Sequence, residues 1–541
     1  SLRPPRDRRR PPAATAAPHF SPRAAAASAA SLAAAGTAPA PSQQGLPLLL
    51  APLLMARVVR GAEEGAAGAE GSEVDESNPP SSDESSESIE VHGGSAQGCF
   101  SVIVSSVGLA TDFYDFGVVN NVKGMLQKEY GEMTTGQRTT FSASAIIGAV
   151  LGQICIGMLA DKFGRRAMFI TCSALTFIGA FLSTIAWNPG GNDIYWLLIA
   201  FRTLMGFGIG GEYPCCASHM AEQSGSGNSG RNIALGVAAM GLGGVLAPTV
   251  VYLCLSAGLS YNATWRTAFG FGAGVSLLSL VLRILTVKDS HQFKEVAESQ
   301  TFRKSFKLLM NRYSKPLLGT AGAWFWYDLV DYGLGLYSAQ ISGVATGGGI
   351  AGETLNTLFF ALIALPGAYG AAWFLPTFGR KHAFLYGYVG MIAIFMTLVI
   401  FFNHLPGWLF TILYGLQMTC DWIGPCAASY VVPSEIFPTA ARATAHGISA
   451  ASGKLGAVVG IYGVGVLVDT IGVRWMLLTV GGLTVVAMVW VQLLIPEYDE
   501  QTLEGLEEVD SRGDRCEILN WLYGGGMKAG KRAKKGKAAG A

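Results

Sequence analysis

Trp324, Asp328 and Tyr332 recur every four residues in an apolar stretch, Thr320–Ser338, that reads TAGAWFWYDLVDYGLGLYS. That spacing stacks an indole, a carboxylate and a phenol along one side of a helix. A carboxylate at the centre of a membrane costs roughly 2.5–3.5 kcal/mol even on lenient insertion scales, so Asp328 is expected to face a wet cavity or a partner. Asp331 lies three residues further on and is expected at the mouth of that cavity. A second apolar run contains Ser452-Gly453-Lys454-Leu455-Gly456. A lysine this deep requires an acid or an anion. Asp328 is its natural partner, which leaves two readings open: a structural Lys–Asp pair, or a lysine that binds an anion.

Two further constellations carry ionisable groups. Thr111-Asp112-Phe113-Tyr114-Asp115 places two carboxylates three residues apart on one helix face. Such acids in low dielectric are candidates for carrying protons; the alternative is that Asp112 and Asp115 are solvated at a cytoplasmic mouth. Another run ends Gly206-Phe-Gly-Ile-Gly-Gly-Glu212-Tyr213-Pro214, with Arg202 ten residues before Glu212. The glycines let a helix or a ligand approach the backbone, and Pro214 weakens the helix just after the acid. Arg202 and Glu212 can offset each other's burial only if they meet. No strand precedes these glycines, which excludes a nucleotide-binding loop.

The elements that must position these residues are membrane helices. Of 541 residues, 50% are apolar and 14% charged, and mean hydropathy is +0.37. A net charge of +1 implies no nucleic-acid partner. Nine cysteines show no metal-ligand spacing and read as small apolar residues without a disulfide framework. No HExxH motif or Ser–His arrangement argues for an enzyme, and His219 and His446 are expected to be solvated or capping near helix ends. Neither a cofactor nor a metal is expected.

From Gly98 to Ile495 about twelve apolar runs reach spanning length. They centre on 98–121, 139–160, 167–187, 194–218, 233–257 and 267–287, then on 316–340, 353–375, 383–402, 407–432, 443–467 and 474–495. The expected organisation is a disordered tail over 1–94, a six-helix half over 95–287, a basic cytoplasmic linker over 288–315, a second six-helix half over 316–496 and a cytoplasmic tail over 497–541. Two such halves are the layout of a transporter. The chain does not begin with Met; Met55 reads as the translation start, with an Arg/Ser/Ala-rich transit peptide as the alternative.

Basic residues set the orientation. Lys162, Arg165, Arg166, Arg231, Arg380, Lys381 and Arg442 fall in gaps of one parity with the basic linker and the tail KAGKRAKKGK. By the positive-inside rule both termini are cytoplasmic. This puts the sequon Asn262-Ala-Thr264 outside. The plasma membrane is the expected residence, with a plastid or vacuolar membrane as alternatives.

The gap after the second run, Gly157-Met-Leu-Ala-Asp161-Lys-Phe-Gly164-Arg165-Arg166, resembles the GxxxDxxGRR loop signature of the major facilitator superfamily. Its charged groups can hold the cytoplasmic side shut and release when it opens. Phe378-Gly379-Arg380-Lys381 resembles a degenerate second copy. Within that superfamily, the chain resembles the phosphate:proton symporters, which share TDxYD, GGDYP, WFxxDxxxY and SGKxGA. Here these stand as Thr111–Asp115, Gly210–Pro214, Trp324–Tyr332 and Ser452–Ala457. Val432-Pro-Ser-Glu435-Ile-Phe437-Pro438 and Pro496-Glu497…Thr502-Leu503-Glu504 also look like that family.

The resemblance implies an all-α membrane protein with the major facilitator fold. It implies proton-coupled uptake of inorganic phosphate by alternating access, for which a monomer suffices. It implies that Tyr213, Trp324, Asp328, Tyr332 and Lys454 surround phosphate, and that Asp112, Asp115, Arg202 and Glu212 couple protons. Three departures stand out. Glu212 replaces the family's Asp, Gly241 replaces the Gln of AMQG, and Cys426 replaces the Asn of GPN. The last two remove amides from the family's phosphate shell. Together with Trp326-Tyr327-Asp328, Gly335 and Tyr337, they resemble the related glycerophosphodiester permeases. An organic-phosphate transporter is therefore the alternative, and a nutrient sensor without transport the second.

Overall fold

In lipid every backbone polar group must be satisfied within its own segment, so apolar runs of this length fold as helices. A computed structural model describes residues 90–523 apart from 164, 189–192, 224–228, 287–301, 439–440, 499–502, 504–505 and 507–514. All of them belong to one unit, Glu84–Ala541. The expected disordered tail lies outside the described residues up to residue 89, as do most of the linker and the basic C-terminal tail. Within the linker, Phe302–Arg312 is a short helix with Leu309 buried and Arg303, Lys304 and Lys307 exposed.

Among the described residues every regular element is helical. The first six runs become α1 (Glu90–Tyr130), α2 (Thr135–Phe163), α3 (Arg165–Thr184), α4 (Asp193–Gln223), α5 (Ser229–Ser256) and α6 (Tyr261–Thr286). The linker helix is α7. The second set becomes α8 (Ser314–Gly335), α9 (Ser338–Thr346), α10 (Gly349–Phe378), α11 (Arg380–Phe401), α12 (Gly407–Asp421), α13 (Ala427–Glu435) and α14 (Arg442–Leu494), followed by α15 (Arg515–Tyr523).

Eight of these helices are long and apolar enough to cross a membrane. Nine of the twelve predicted runs lie on them, because α14 carries two, divided at Gly472 by its φ of 77°. The other three lie on α1, α8 and the α12–α13 column, whose apolar character is diluted by carboxylates or interrupted. Between α12 and α13 the chain makes a π turn over Trp422–Cys426. Pro425 within it has no N–H to give to a regular helix.

The pattern of burial is inverted relative to a soluble protein. Leu285, Trp373, Trp408 and Leu493 are among the large apolar side chains on the outside. Arg202, Arg283, Asp328 and Lys454 are inside. Lipid accepts the first group, and only protein partners accept the second.

Small residues let helices close on one another. Gly148 and Gly152 of α2 meet the backbone of α4, and Gly206 and Gly210 of α4 meet the backbone of α2. The glycines before Glu212 thus receive neighbouring helices. On α14, Gly456 and Gly460 lie against the carbonyls of Phe325 and Leu329 on α8, and Gly453 lies against the Trp324 ring. That approach places Lys454 beside Asp328.

Candidate functional site

Lys454 Nζ donates to Asp328 Oδ2 at 2.8 Å. Both side chains are almost fully enclosed, at 2% and 1% exposure. The expected partnership is present. The ammonium lies over the Tyr332 ring at 4.0 Å, and 5.2 Å and 5.9 Å from the ring centres of Tyr213 and Phe116. One face of the cation is thus paired, and its surroundings are aromatic. The second Asp328 oxygen, Oδ1, accepts no hydrogen bond and is buried.

Trp324 stands one turn before Asp328 and packs its ring 5.7 Å from Tyr430 and 5.2 Å from His446. Tyr430 lies 5.7 Å from Tyr213 and donates to the Tyr213 carbonyl at 3.0 Å. Tyr213, Trp324, Asp328, Tyr332 and Lys454 therefore converge from α4, α8 and α14. Two neighbours were missed. Tyr430 lies in α13 after the π turn, where periodicity offers no signal. His446 was expected at a solvated helix end, yet it is fully buried with neither ring nitrogen hydrogen-bonded.

Beside Tyr332 a cavity of about 100 Å³ opens between α1, α5, α8 and α10. Asp331, Asn120, Asn121, Ser338, Thr357 and Gly241 are among its lining residues. Asn120 donates to Ser338 Oγ at 2.9 Å, and Thr357 donates to Asn121 Oδ1 at 2.8 Å. Asn120 Oδ1 has no donor. The glycine at the family's glutamine position thus borders a largely apolar cavity with a few polar groups on its wall, next to Leu365 and Ala368. Asp331 lines this cavity, half-buried, instead of standing at an exposed mouth.

The first-half acids form a second cluster. Asp112 and Asp115 are each 1% exposed, which rules out a solvated mouth. Glu212 does not meet Arg202. It is held by Arg283 of α6, whose Nη1 stands 2.6 Å from Oε1 and whose Nη2 donates to Oε2 at 2.8 Å. Ser173 of α3 accepts from Arg283 Nη1 at 2.6 Å. Arg202 instead donates to the Asp115 backbone carbonyl at 2.7 Å. The Asp115 carboxylate accepts from Ser276 at 3.4 Å and lies against Gly272 of α6. Asp112 Oδ2 has no donor and faces the Glu212 carboxyl. Arg283 was missed, although a lone arginine in the sixth apolar run carried the same signal as Lys454.

Contacts also bridge the helices at both ends of this core. Where α1 ends and α2 begins, Arg138 pairs with Asp469 at 2.5 Å and Thr140 with Tyr462 at 2.9 Å. There Lys123 donates to the Leu336 carbonyl at 2.7 Å, a group left without a helical donor where α8 stops. At the opposite end Gly157 lies against Ala443 and Gly447 of α14. Arg380 clasps Glu435 at 2.9 and 3.1 Å, and Tyr498 donates to the same carboxylate at 2.8 Å. Of the remaining loop-signature residues, Gly164 and the side chains of Asp161 and Arg165 lie outside the described residues; Arg166 is exposed. Asn262 of the sequon is half-buried in the first turn of α6 and accepts from Arg266 at 3.0 Å.

The sequence profile of the Major Facilitator Superfamily matches residues 105–432. The chain belongs to the major facilitator superfamily. It is accordingly a multi-pass membrane transporter and not an enzyme. Among its relatives, Glycerophosphoinositol permease 1 of Candida albicans is 30% identical over 431 residues, covering 76% of this chain and 80% of that protein. Probable inorganic phosphate transporter 1-12 of Oryza sativa subsp. japonica is 30% identical over 489 residues, covering 74% and 90%. The solved proton:xylose symporter XylE superposes with a TM-score of 0.66 at 19% identity, covering 77% of this chain and 99% of that one. That likeness establishes the major facilitator fold.

Proposed function

We propose that this protein is a proton-coupled phosphate symporter working by alternating access, with Tyr213, Trp324, Asp328, Tyr332 and Lys454 as its anion site. The observation that carries this reading is the Lys454–Asp328 pair, enclosed by aromatic rings at the meeting of three helices. Phosphate enters against an inside-negative potential at a cost of roughly 2.3 kcal/mol per charge per 100 mV, which co-transported protons offset. Lys454 supplies positive charge, and the phenols and indole can donate to phosphate oxygens. An ionised Asp328 repels phosphate, so a proton there favours the anion and the anion favours the proton.

Release towards the cytosol follows proton loss through Asp112, Asp115 and Glu212, with Arg202 and Arg283 as their counter-groups. Access alternates as the bridges at one end break and those at the other form, the loop Gly157–Arg166 acting on the cytoplasmic side. The basic gaps support cytoplasmic termini, and we assign the protein to the plasma membrane. Labelled-phosphate uptake at two pH values, in cells lacking their own phosphate carriers, tests the reading. Uptake that is absent, or indifferent to the proton gradient, would overturn it.

A second reading is favoured by one observation. The cavity bordered by Gly241 and Asp331 lies next to Tyr332, where a phosphate bound at Lys454 would leave it empty. The amides and hydroxyls of Asn120, Asn121, Ser338 and Thr357 on its otherwise largely apolar wall suit the alcohol portion of a glycerophosphodiester. Competition of phosphate uptake by glycerophosphodiesters separates the two substrates.

A further inference from the structure

Asp421, the last residue of α12, is buried to 1% exposure, and neither of its carboxyl oxygens receives a hydrogen bond from any donor. Its carboxyl faces that of Asp331 on α8. Two carboxylates cannot bond to one another, but a carboxylic acid and a carboxylate can, because one then supplies an O–H. Asp331 borders the cavity beside Asn120, Asn121, Ser338 and Thr357, polar groups on an otherwise largely apolar wall that can hold water, while Asp421 is buried and does not line it. The π turn that starts at Trp422 follows Asp421 directly.

The surroundings leave the pair short of positive charge. The cation facing Asp331 is Lys454, already bonded to Asp328. The other titratable groups facing the pair are Tyr327, Tyr332 and Asp328 of α8, Tyr414 and Cys420 of α12, Cys426 of the π turn and Tyr388 of α11. None of these adds a positive charge. Three ionised carboxyls around one ammonium would oppose any anion approaching Lys454.

We propose that Asp331 and Asp421 form a second proton site, one proton shared carboxyl to carboxyl, loaded together with the anion and released after it. Loading takes a proton from cavity water to the Asp331 carboxylate, forming an O–H whose hydrogen bond Asp421 accepts. Release breaks that O–H and returns the proton to water, so no further reactant is needed. The proposal deepens the reading of Lys454 as a proton-coupled anion site and rests on it. It adds a proton carried in the second half of the molecule, apart from Asp112, Asp115 and Glu212.

Infrared spectra of the purified full chain in lipid, titrated with pH, test the pair without any assumption about the transported substrate. The wild type is expected to show a carboxylic C=O band that Asp421→Asn lacks, and Asp331→Asn is expected to lack it too. Proteoliposomes supply the second readout, the ratio of protons to inorganic phosphate taken up. The ratio is expected to fall by roughly one in either variant, while phosphate still raises the thermal unfolding temperature, which shows that the fold and the anion site persist. A band retained in both variants, an unchanged ratio, or uptake that requires sodium would overturn the proposal. Should the wild type take up no phosphate, the infrared comparison still judges the carboxyl pair, and the transport assignment fails separately.

Discussion

Arg283 of α6 grips Glu212 of α4 through both terminal guanidinium nitrogens, at 2.6 and 2.8 Å. Arg202, on the same helix as Glu212, turns to the Asp115 carbonyl of α1. Two of the acidic residues expected to couple protons are thus tied to arginines on different helices, Glu212 by its carboxylate and Asp115 by its backbone carbonyl. Movement of α4 against α1 and α6 changes both contacts.

Removing one member of the Arg283–Glu212 pair leaves a buried charge uncompensated, at a cost of about 3–5 kcal/mol. Arg283→Leu is therefore expected to lower the thermal unfolding temperature sharply. Arg283→Leu combined with Glu212→Leu is expected to recover most of that loss, while proton-dependent uptake stays absent. Unfolding followed by intrinsic fluorescence in detergent measures the first effect, and uptake at two pH values the second. A double variant as unstable as the single one would show that the pair is not the stabilising unit.

Asp328→Asn and Lys454→Ala are each expected to reduce labelled-phosphate uptake to background, with the protein still present in the membrane. Asn keeps the shape of Asp328 but cannot exchange a proton, and Ala removes the ammonium proposed to hold the anion. Near-normal uptake in either variant would sink the assignment of the site.

Gly241→Gln restores an amide at the cavity wall next to Leu365 and Ala368. If the cavity receives the alcohol portion of an organic phosphate, the longer side chain fills it. Competition by glycerophosphodiesters should then weaken at least several-fold, and uptake of inorganic phosphate should persist. Competition assays on the wild type and the variant side by side decide the point.

The bridges at the two ends of the core should differ in strength. Arg138 and Asp469 are 22% and 35% exposed, so Asp469→Asn is expected to cost no more than about 1 kcal/mol and to be masked by salt. Arg380 and Glu435 are 8% and 3% exposed, and Tyr498 adds a further hydrogen bond. Arg380→Met is expected to cost about 3–5 kcal/mol, because Glu435 then stays buried without a cation. Thermal unfolding at low and high salt orders the two.

Hydropathy alone located the helices, since the cost of open backbone in lipid leaves a long apolar run little choice. The same cost made Asp328 and Lys454 legible as a pair before any contact was known, and it also spoke for Arg283. The ten residues between Arg202 and Glu212 correspond to roughly 15 Å of helix rise, too far for the two to meet on one straight helix. Sequence could therefore argue against that pair, but it could not say that α6 supplies the replacement. Nor could it place Asp421 against Asp331, or Tyr430 and His446 against Trp324, since each of those contacts joins residues from different helices.

What the sequence determined by itself was the inventory: membrane helices, the charged groups that lipid would not tolerate, and the demand that each find company. What only the tertiary structure decided was the company each one keeps. Composition and spacing state how much a buried charge costs, whereas its partner depends on which helices the glycine contacts bring together and how each is rotated about its axis. The Lys454–Asp328 contact was foreseeable because those two groups were the obvious opposites within one half. The Arg283–Glu212 and Asp331–Asp421 contacts required the packed helices.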